Sequence, residues 1–237
     1  MVNSGNLYLI PNTLGETEIN KVLPSFNTDI INYIDIFLVE DIRNARRFLK
    51  KCNIIKAIDE LTFFLIDKNK DNEENYFNII NIIKTGQNVG VISEAGCPAI
   101  ADPGANIVLL AHEYNINVIP LVGPSSILLA LISSGFNGQN FQFHGYLPID
   151  KNKRILELRK IEGISLKNNQ TQIFMETPYR NNQFLSDIIS SLNENTLLCV
   201  ACDITCSTQF IKTQSIARWK KTKIDLNKRP TIFLISQ

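Results

Sequence analysis

Short apolar runs alternate along the chain with longer stretches that repeat apolar residues at helical spacing. That rhythm predicts an α/β protein with a largely parallel sheet. Residues 7–10 read as the first strand, stopped by Pro11. Helical patterns at 16–23 and 28–32 precede a strand at 34–39, a helix at 42–52 and a strand at 60–66. A helix at 73–84, with Gly86 where a carboxyl-terminal stop is expected, leads to a strand at 88–92. A helix at 105–114 and a strand at 118–121 follow, then a buried helix at 125–134 that Gly135 ends. Beyond residue 138 the alternation loosens. There a strand-like run at 141–146, a basic helix from Lys151, a strand at 171–175 and a helix from Tyr179 are predicted. A strand at 197–203 with a hairpin partner near 209–212, a short helix at 216–220 and a strand at 231–235 complete the chain. Antiparallel pairs in this part are expected of a second α/β domain, so the boundary is drawn between 1–122 and 123–237. The most polar segment, 67–75, is expected to be a surface loop.

The 237 residues are 44% hydrophobic and 20% charged, with a formal net charge of +1. This is the balance of a globular chain, and no global field recruits nucleic acid; any such contact has to come from a local basic patch. The longest apolar run, 118–136, is interrupted by Pro120, Gly123, Pro124 and a serine pair, so it is expected to be strand, loop and helix instead of a membrane span. No basic segment followed by an apolar stretch opens the chain, and a cytoplasmic protein is expected.

Two loops carry the candidate chemistry. V-I-S-E-A-G-C-P-A-I-A-D-P-G at 91–104 breaks off a strand with small residues, two prolines and two carboxylates, Glu94 and Asp102. V-G-P-S-S at 122–126 does the same after the next strand. Compact polar loops at the carboxyl ends of buried strands are where open α/β sheets place ligands. No G-x-G-x-x-G follows the first strand and no glycine-rich phosphate loop with a lysine occurs, which disfavours a dinucleotide fold and a nucleoside-triphosphate site. With only two histidines, His112 and His144, no Ser-His-Asp arrangement is readable. The five cysteines, at 52, 97, 199, 202 and 206, are expected to be free thiols. Cys199, Cys202 and Cys206 have metal-like spacing, but a strand at 197–203 would turn Cys199 and Cys202 to opposite faces, and no metal site is predicted.

In this order the chain carries L-Y-L-I-P-N-T-L-G at 7–15, V-E-D-I-R at 39–43, S-E-A-G-C-P-A-I-A-D-P-G at 93–104 and P-L-V-G-P-S-S at 120–126. F-H-G-Y-L-P at 143–148, K-N-K-R at 151–154, M-E-T-P-Y-R at 175–180 and R-P-T-I-F-L-I at 229–235 follow. Across nearly its full length it resembles the tetrapyrrole methylase fold family, and within it the branch that methylates a ribose 2′-hydroxyl of small-subunit ribosomal RNA. The resemblance implies two α/β domains, with S-adenosylmethionine in the cleft between them, and a homodimer. It implies cofactor contacts at Leu14 and Gly15, at Glu94, Ala95 and Gly96 on the methionine and ribose side, and at Ser125 and Ser126. Glu176 would sit against the adenosine, with Ile204, Pro230 and Thr231 closing over the adenine. Glu94 stands where that branch has Asp, Thr13 where it has Pro and Tyr179 where it has His, and the segment between Cys52 and Glu73 is shortened. These departures touch the cofactor loop and the substrate mouth.

Two basic clusters bear on the substrate: Arg43, Arg46, Arg47, Lys50 and Lys51 on one helix, and Lys151, Lys153, Arg154, Arg159 and Lys160 on another. Each suits phosphates or is simply a solvated face. Arg43, Arg154 and, at the mouth of the cleft, Arg180 are the substrate candidates. Ribosomal RNA or the small ribosomal subunit is the expected partner. A tetrapyrrole or other small acceptor, and a module that binds S-adenosylmethionine without transfer, remain alternatives. No general base is identified; Glu94, Asp41 and Glu40 are the carboxylates to consider.

Overall fold

A computed structural model of the protein describes residues 4–66 and 73–236, so most of the surface loop expected at 67–75 lies outside the described residues. The chain divides into two compact units, Met1–Pro124 and Ser125–Gln237.

Unit 1 runs β1 (Asn6–Ile10), α1 (Ser25–Ile31), β2 (Ile36–Val39), α2 (Ile42–Lys51), β3 (Thr62–Leu65), α3 (Glu73–Lys84), β4 (Val89–Ile92), α4 (Ala105–Glu113) and β5 (Asn117–Pro120). Its strands form one parallel sheet in the order β3-β2-β4-β1-β5. Side chains alternate across that sheet, which explains why its central strands are apolar throughout. Tyr8, Ile10, Phe37, Val39 and Ile92 pack with Ile31, Ala45, Phe48 and Leu49 of α1 and α2. Leu7, Leu38, Val89 and Val91 pack on the other face with Tyr76, Ile79, Ile80 and Ile83 of α3 and Ile107 and Ala111 of α4. Connections leave β1 and β4 towards opposite edges of the sheet. The loops after these two neighbouring strands therefore flank its topological switch point.

Unit 2 runs α5 (Ser126–Ser134), β6 (Phe141–Tyr146), α6 (Lys151–Asn168), β7 (Thr171–Met175), α7 (Asn181–Ser191), β8 (Leu197–Cys202), β9 (Phe210–Ser215), α8 (Ile216–Trp219) and β10 (Thr231–Ser236). The sheet order is β6-β7-β10-β8-β9; β6 and β7 are parallel and the other pairs antiparallel. Phe174, Phe184 and Phe233 make edge contacts at its centre, with Phe184 5.1 Å from Phe233 and 5.7 Å from Phe174. The Trp219 indole donates to the Leu198 carbonyl at 2.9 Å, which satisfies the polar atom of a buried ring. Leu198, Val200 and Cys202 face this core. Strand alternation therefore sends Cys199 to the opposite face, away from Cys202.

Three expectations are corrected. The helix at 16–23 is only a 3₁₀ turn at Ile19–Lys21, because Glu18 provides no side-chain cap and Pro24 ends the run. Its apolar residues, Ile19, Val22 and Leu23, still pack against the core. Helix α5 is not wholly buried: Ala130 and Leu131 are, but Ile132 is 76% exposed. Arg154, expected to meet substrate, is only 6% exposed. Its guanidinium donates through Nε and Nη2 to Asp187 at 3.0 and 2.5 Å, and through Nη1 to the carbonyls of Pro148 and Ile149 at 3.0 and 2.6 Å. A charge so thoroughly paired ties α6 to α7 and the preceding loop and has little left for a ligand.

Asp187→Asn keeps the shape but leaves the guanidinium without its counter-charge. Urea unfolding should show a loss of about 3 kcal/mol; a loss below about 1 kcal/mol would contradict this. Burial pushes the Cys52 thiol up from 9.0 to about 12. Its stabilising contribution is therefore complete below the unfolded thiol's value and is lost as pH rises from about 9 towards 12. Melting temperatures should fall over that window, and less steeply for Cys52→Ala; identical slopes would contradict the assignment.

Candidate functional site

In unit 1 the loops following β1, β4 and β5 are joined directly. Asn12 and Gly96 exchange backbone hydrogen bonds, Asn12 N to Gly96 O at 2.9 Å and Gly96 N to Asn12 O at 3.2 Å. The Asn12 side chain adds three more: Nδ2 donates to the carbonyls of Ser93 and Glu94 at 3.1 and 3.3 Å, and Oδ1 accepts from Thr13 N at 2.8 Å. The buried Ser93 hydroxyl donates to Gly96 O at 2.5 Å. Gly96 takes a left-handed φ of +70°, and a Cβ there would lie 3.1 Å from Leu14 Cδ2 and 3.3 Å from Pro124 O. A Cβ on Gly123 would lie 2.3 Å from Pro11 Cγ, so glycine is what lets the third loop close on the first.

The predicted residues Leu14, Glu94 and Gly96 are thereby brought together, with Gly15 and Ala95 alongside in the chain. Gly96 is buried with both its polar groups used within the junction, so it shapes the loops, while Ala95 is exposed and Glu94 half-buried. The Glu94 carboxylate accepts from Asn44 Nδ2 of α2 at 2.6 Å, which orients it. The stretch after it stays strained, with Ala99 at φ +66° and Ala101 at +58°, a conformation that L residues adopt at a cost near 1–3 kcal/mol each. Of the other carboxylates considered, Asp41 caps α2, accepting from Asn44 N at 2.7 Å.

Unit 2 gathers Glu176, Ile204, Pro230 and Thr231 at one end of its sheet. Thr231 pairs with Cys202 and Ile232 with Met175 across the ladder, and Asp203 N donates to Pro230 O at 2.9 Å. Glu176 is buried; its Oε1 accepts from Thr177 N at 2.6 Å and Arg180 Nη2 at 2.5 Å, which closes the turn into α7. Arg229 clamps the other two loops, donating to Asp203 Oδ2 at 2.7 Å, Thr208 O at 2.7 Å and Asp225 O at 3.1 Å. The hydrogen bond to Asp203 also raises the guanidinium's pKa. Ile204 is 7% exposed, so this loop offers backbone more than side chain. Asp203 and the β-branched Thr205 on either side of Ile204 are left-handed, at φ +48° and +72°. Two buried polar atoms on these loops, Arg180 Nε and Thr205 Oγ1, have no hydrogen-bond partner among the described residues. Ser125 caps α5, with Leu128 N at 3.5 Å from its hydroxyl, and Ser126 is the first helical residue.

Arg43 is exposed on α2, whereas two neighbours in its cluster are partly neutralised: Arg46 lies 3.3 Å from Asp59 and Lys51 3.0 Å from Glu16. Asn12, Asn44 and Arg229 were not among the residues expected from sequence. The only local sign of Asn12 is its place just after a strand-ending proline. Its partners across the junction, Ser93 and Glu94, lie more than eighty positions away.

No protein-family model matches the chain. The ribosomal RNA small subunit methyltransferase I of Buchnera aphidicola subsp. Schizaphis graminum is 30% identical over 236 residues, covering 98% of this chain and 78% of that protein. The protein of the same name from Thermotoga maritima is 31% identical over 190 residues, covering 80% of this chain and 79% of its own. Among solved structures, the methyltransferase CobJ superimposes with a TM-score of 0.64 at 16% identity, covering 99% of this chain and 95% of that one. Diphthine synthase does so with a TM-score of 0.64 at 14% identity, covering 98% and 90%. These structural likenesses carry the fold, that of the tetrapyrrole methylases. Identity sustained along nearly the whole chain carries the family: the protein belongs to the ribosomal RNA small subunit methyltransferase I family and is an S-adenosylmethionine-dependent methyltransferase.

Proposed function

We propose that the protein methylates a ribose 2′-hydroxyl of small-subunit ribosomal RNA, acting as a cytoplasmic homodimer. The observation that carries this reading is the set of strand-end loops locked by Asn12 and Gly96 in a chain whose curated relatives bear the name of ribosomal RNA methyltransferases. The fit with the cofactor rests on the donor set: an oriented carboxylate at Glu94, and buried polar atoms at Arg180 and Thr205 that have no partner among the described residues.

Bound S-adenosylmethionine would supply a sulfonium methyl carbon as the electrophile. From unit 1, Leu14, Gly15, Glu94 and Ala95 would hold it, with Glu94 accepting from a hydroxyl or amino group and Gly96 setting the shape of the loop. From unit 2, Ser125, Ser126, the turn at Glu176, the backbone around Ile204, and Pro230 and Thr231 would contribute. The protein's remaining task is to hold the acceptor oxygen in line, about 3 Å from the methyl carbon, and to exclude water. Arg43 and Arg180 are the candidates for drawing in RNA phosphates.

Incubation with labelled methyl donor and small ribosomal subunits should place label in the RNA. The labelled nucleotide should resist alkaline cleavage, because methylation blocks attack of its 2′-oxygen on the adjoining phosphate. Label in an alkali-sensitive nucleotide would contradict the 2′-hydroxyl, and label only in a uroporphyrinogen-type acceptor would contradict RNA. Gly96→Val should weaken S-adenosylmethionine binding at least tenfold in calorimetry and cost about 1–3 kcal/mol of stability, since the side chain meets two neighbours from a left-handed backbone. Unchanged affinity would count against these loops as the cofactor site.

A further inference from the structure

We propose that Tyr179 and Lys228 form a platform for one unpaired nucleotide of the RNA acceptor, the base stacking on the tyrosine ring and its phosphate meeting the lysine. This rests on the RNA reading above and adds a binding element to it. Tyr179 is 74% exposed at the turn into α7. The Lys228 ammonium lies over its ring, 5.9 Å from the centroid. Among the described residues Lys228 forms no ion pair, so beyond its contact with the ring its ammonium can meet a phosphate, with the base on the ring's other face.

The two residues come from loops stitched together along their length. Lys228 N donates to Pro178 O at 3.0 Å, Asn181 Nδ2 to Arg229 O at 2.7 Å and Leu226 N to Asn182 Oδ1 at 2.8 Å. Asn182 Nδ2 reaches back to Asp225 Oδ1 at 2.7 Å. Lys228 adopts a left-handed φ of +60°, rare for a side-chain-bearing residue, and its ammonium reaches the ring from that conformation. Next in the chain, the half-exposed Arg180 adds a second cation anchored by Glu176. An aromatic face with flanking cations on a stiff backbone is the arrangement that binds single-stranded nucleic acid with little ordering cost. A buried-core role is excluded by the exposure of the ring.

Steady-state methylation of small ribosomal subunits by Tyr179→Ala, Tyr179→Phe and Lys228→Ala, with S-adenosylmethionine affinity measured alongside, tests the proposal. Tyr179→Ala should raise KM for the subunit about tenfold, with kcat and cofactor affinity within about twofold of the parent. Tyr179→Phe should restore KM, because stacking needs the ring and not the hydroxyl. Lys228→Ala should raise KM at low salt and flatten its salt dependence by about one phosphate contact. An unchanged KM in Tyr179→Ala, equal losses in the Ala and Phe variants, or a parallel loss of cofactor affinity would overturn the platform while leaving RNA methylation standing. Absence of transfer by the parent enzyme to the subunit would instead overturn the RNA reading, and the platform with it.

Discussion

The reciprocal backbone pair between Asn12 and Gly96 is the constraint on which the rest of unit 1's candidate site depends. Parallel strands end with unpaired peptide groups, and loops leaving adjacent strands have no ladder to hold them. Here the loops that leave the parallel pair β1 and β4 are joined by one isolated antiparallel bridge beyond the strand ends. The Asn12 side chain then occupies the carbonyls of Ser93 and Glu94. Each such bond contributes about 0.5–1.5 kcal/mol net. Together they are of the size needed to offset left-handed strain at Ala99 and Ala101 a few residues further on. Glu94 is thereby presented half-buried from this junction, with its carboxylate oriented by Asn44.

Unit 2 solves a comparable problem with charge. Arg229 reaches three loop oxygens, and the Glu176–Arg180 pair closes the turn into α7. The strained residues again lie near the candidate positions, Asp203 and Thr205 around Ile204 and Lys228 two residues before Pro230. With a net charge of only +1, recognition of a polyanion falls to a few local cations, and several of the nominal ones are already engaged. Arg154 belongs to the core and Arg46 lies near Asp59 and over Phe63, at 5.6 Å from the ring centroid.

Periodicity located the end of α3 and both ends of β7 to the residue, since amphipathic spacing and a buried apolar run are local properties. The motifs also pointed to the strand-end turns, because left-handed and proline-broken backbone demands particular residues. What sequence could not reveal depends on partners far along the chain. Arg154 stands in a basic row that suits a substrate's phosphates, and its actual partner, Asp187, lies thirty-three residues on. The stretch at 16–23 has helical spacing, but its apolar residues are satisfied by packing against the core from a single turn, and Pro24 stops anything longer. The exposed side of α5 has apolar periodicity all round, which does not distinguish a covered face from an open one.

Hydrogen–deuterium exchange on adding saturating S-adenosylmethionine tests most directly the claim that these strained turns hold the methyl donor. The account predicts slowed exchange concentrated at 12–16 and 94–97 in unit 1 and at 203–206 in unit 2, with the strands behind them unchanged. Protection confined to other segments, with those turns exchanging as before while the ligand is bound, would contradict it.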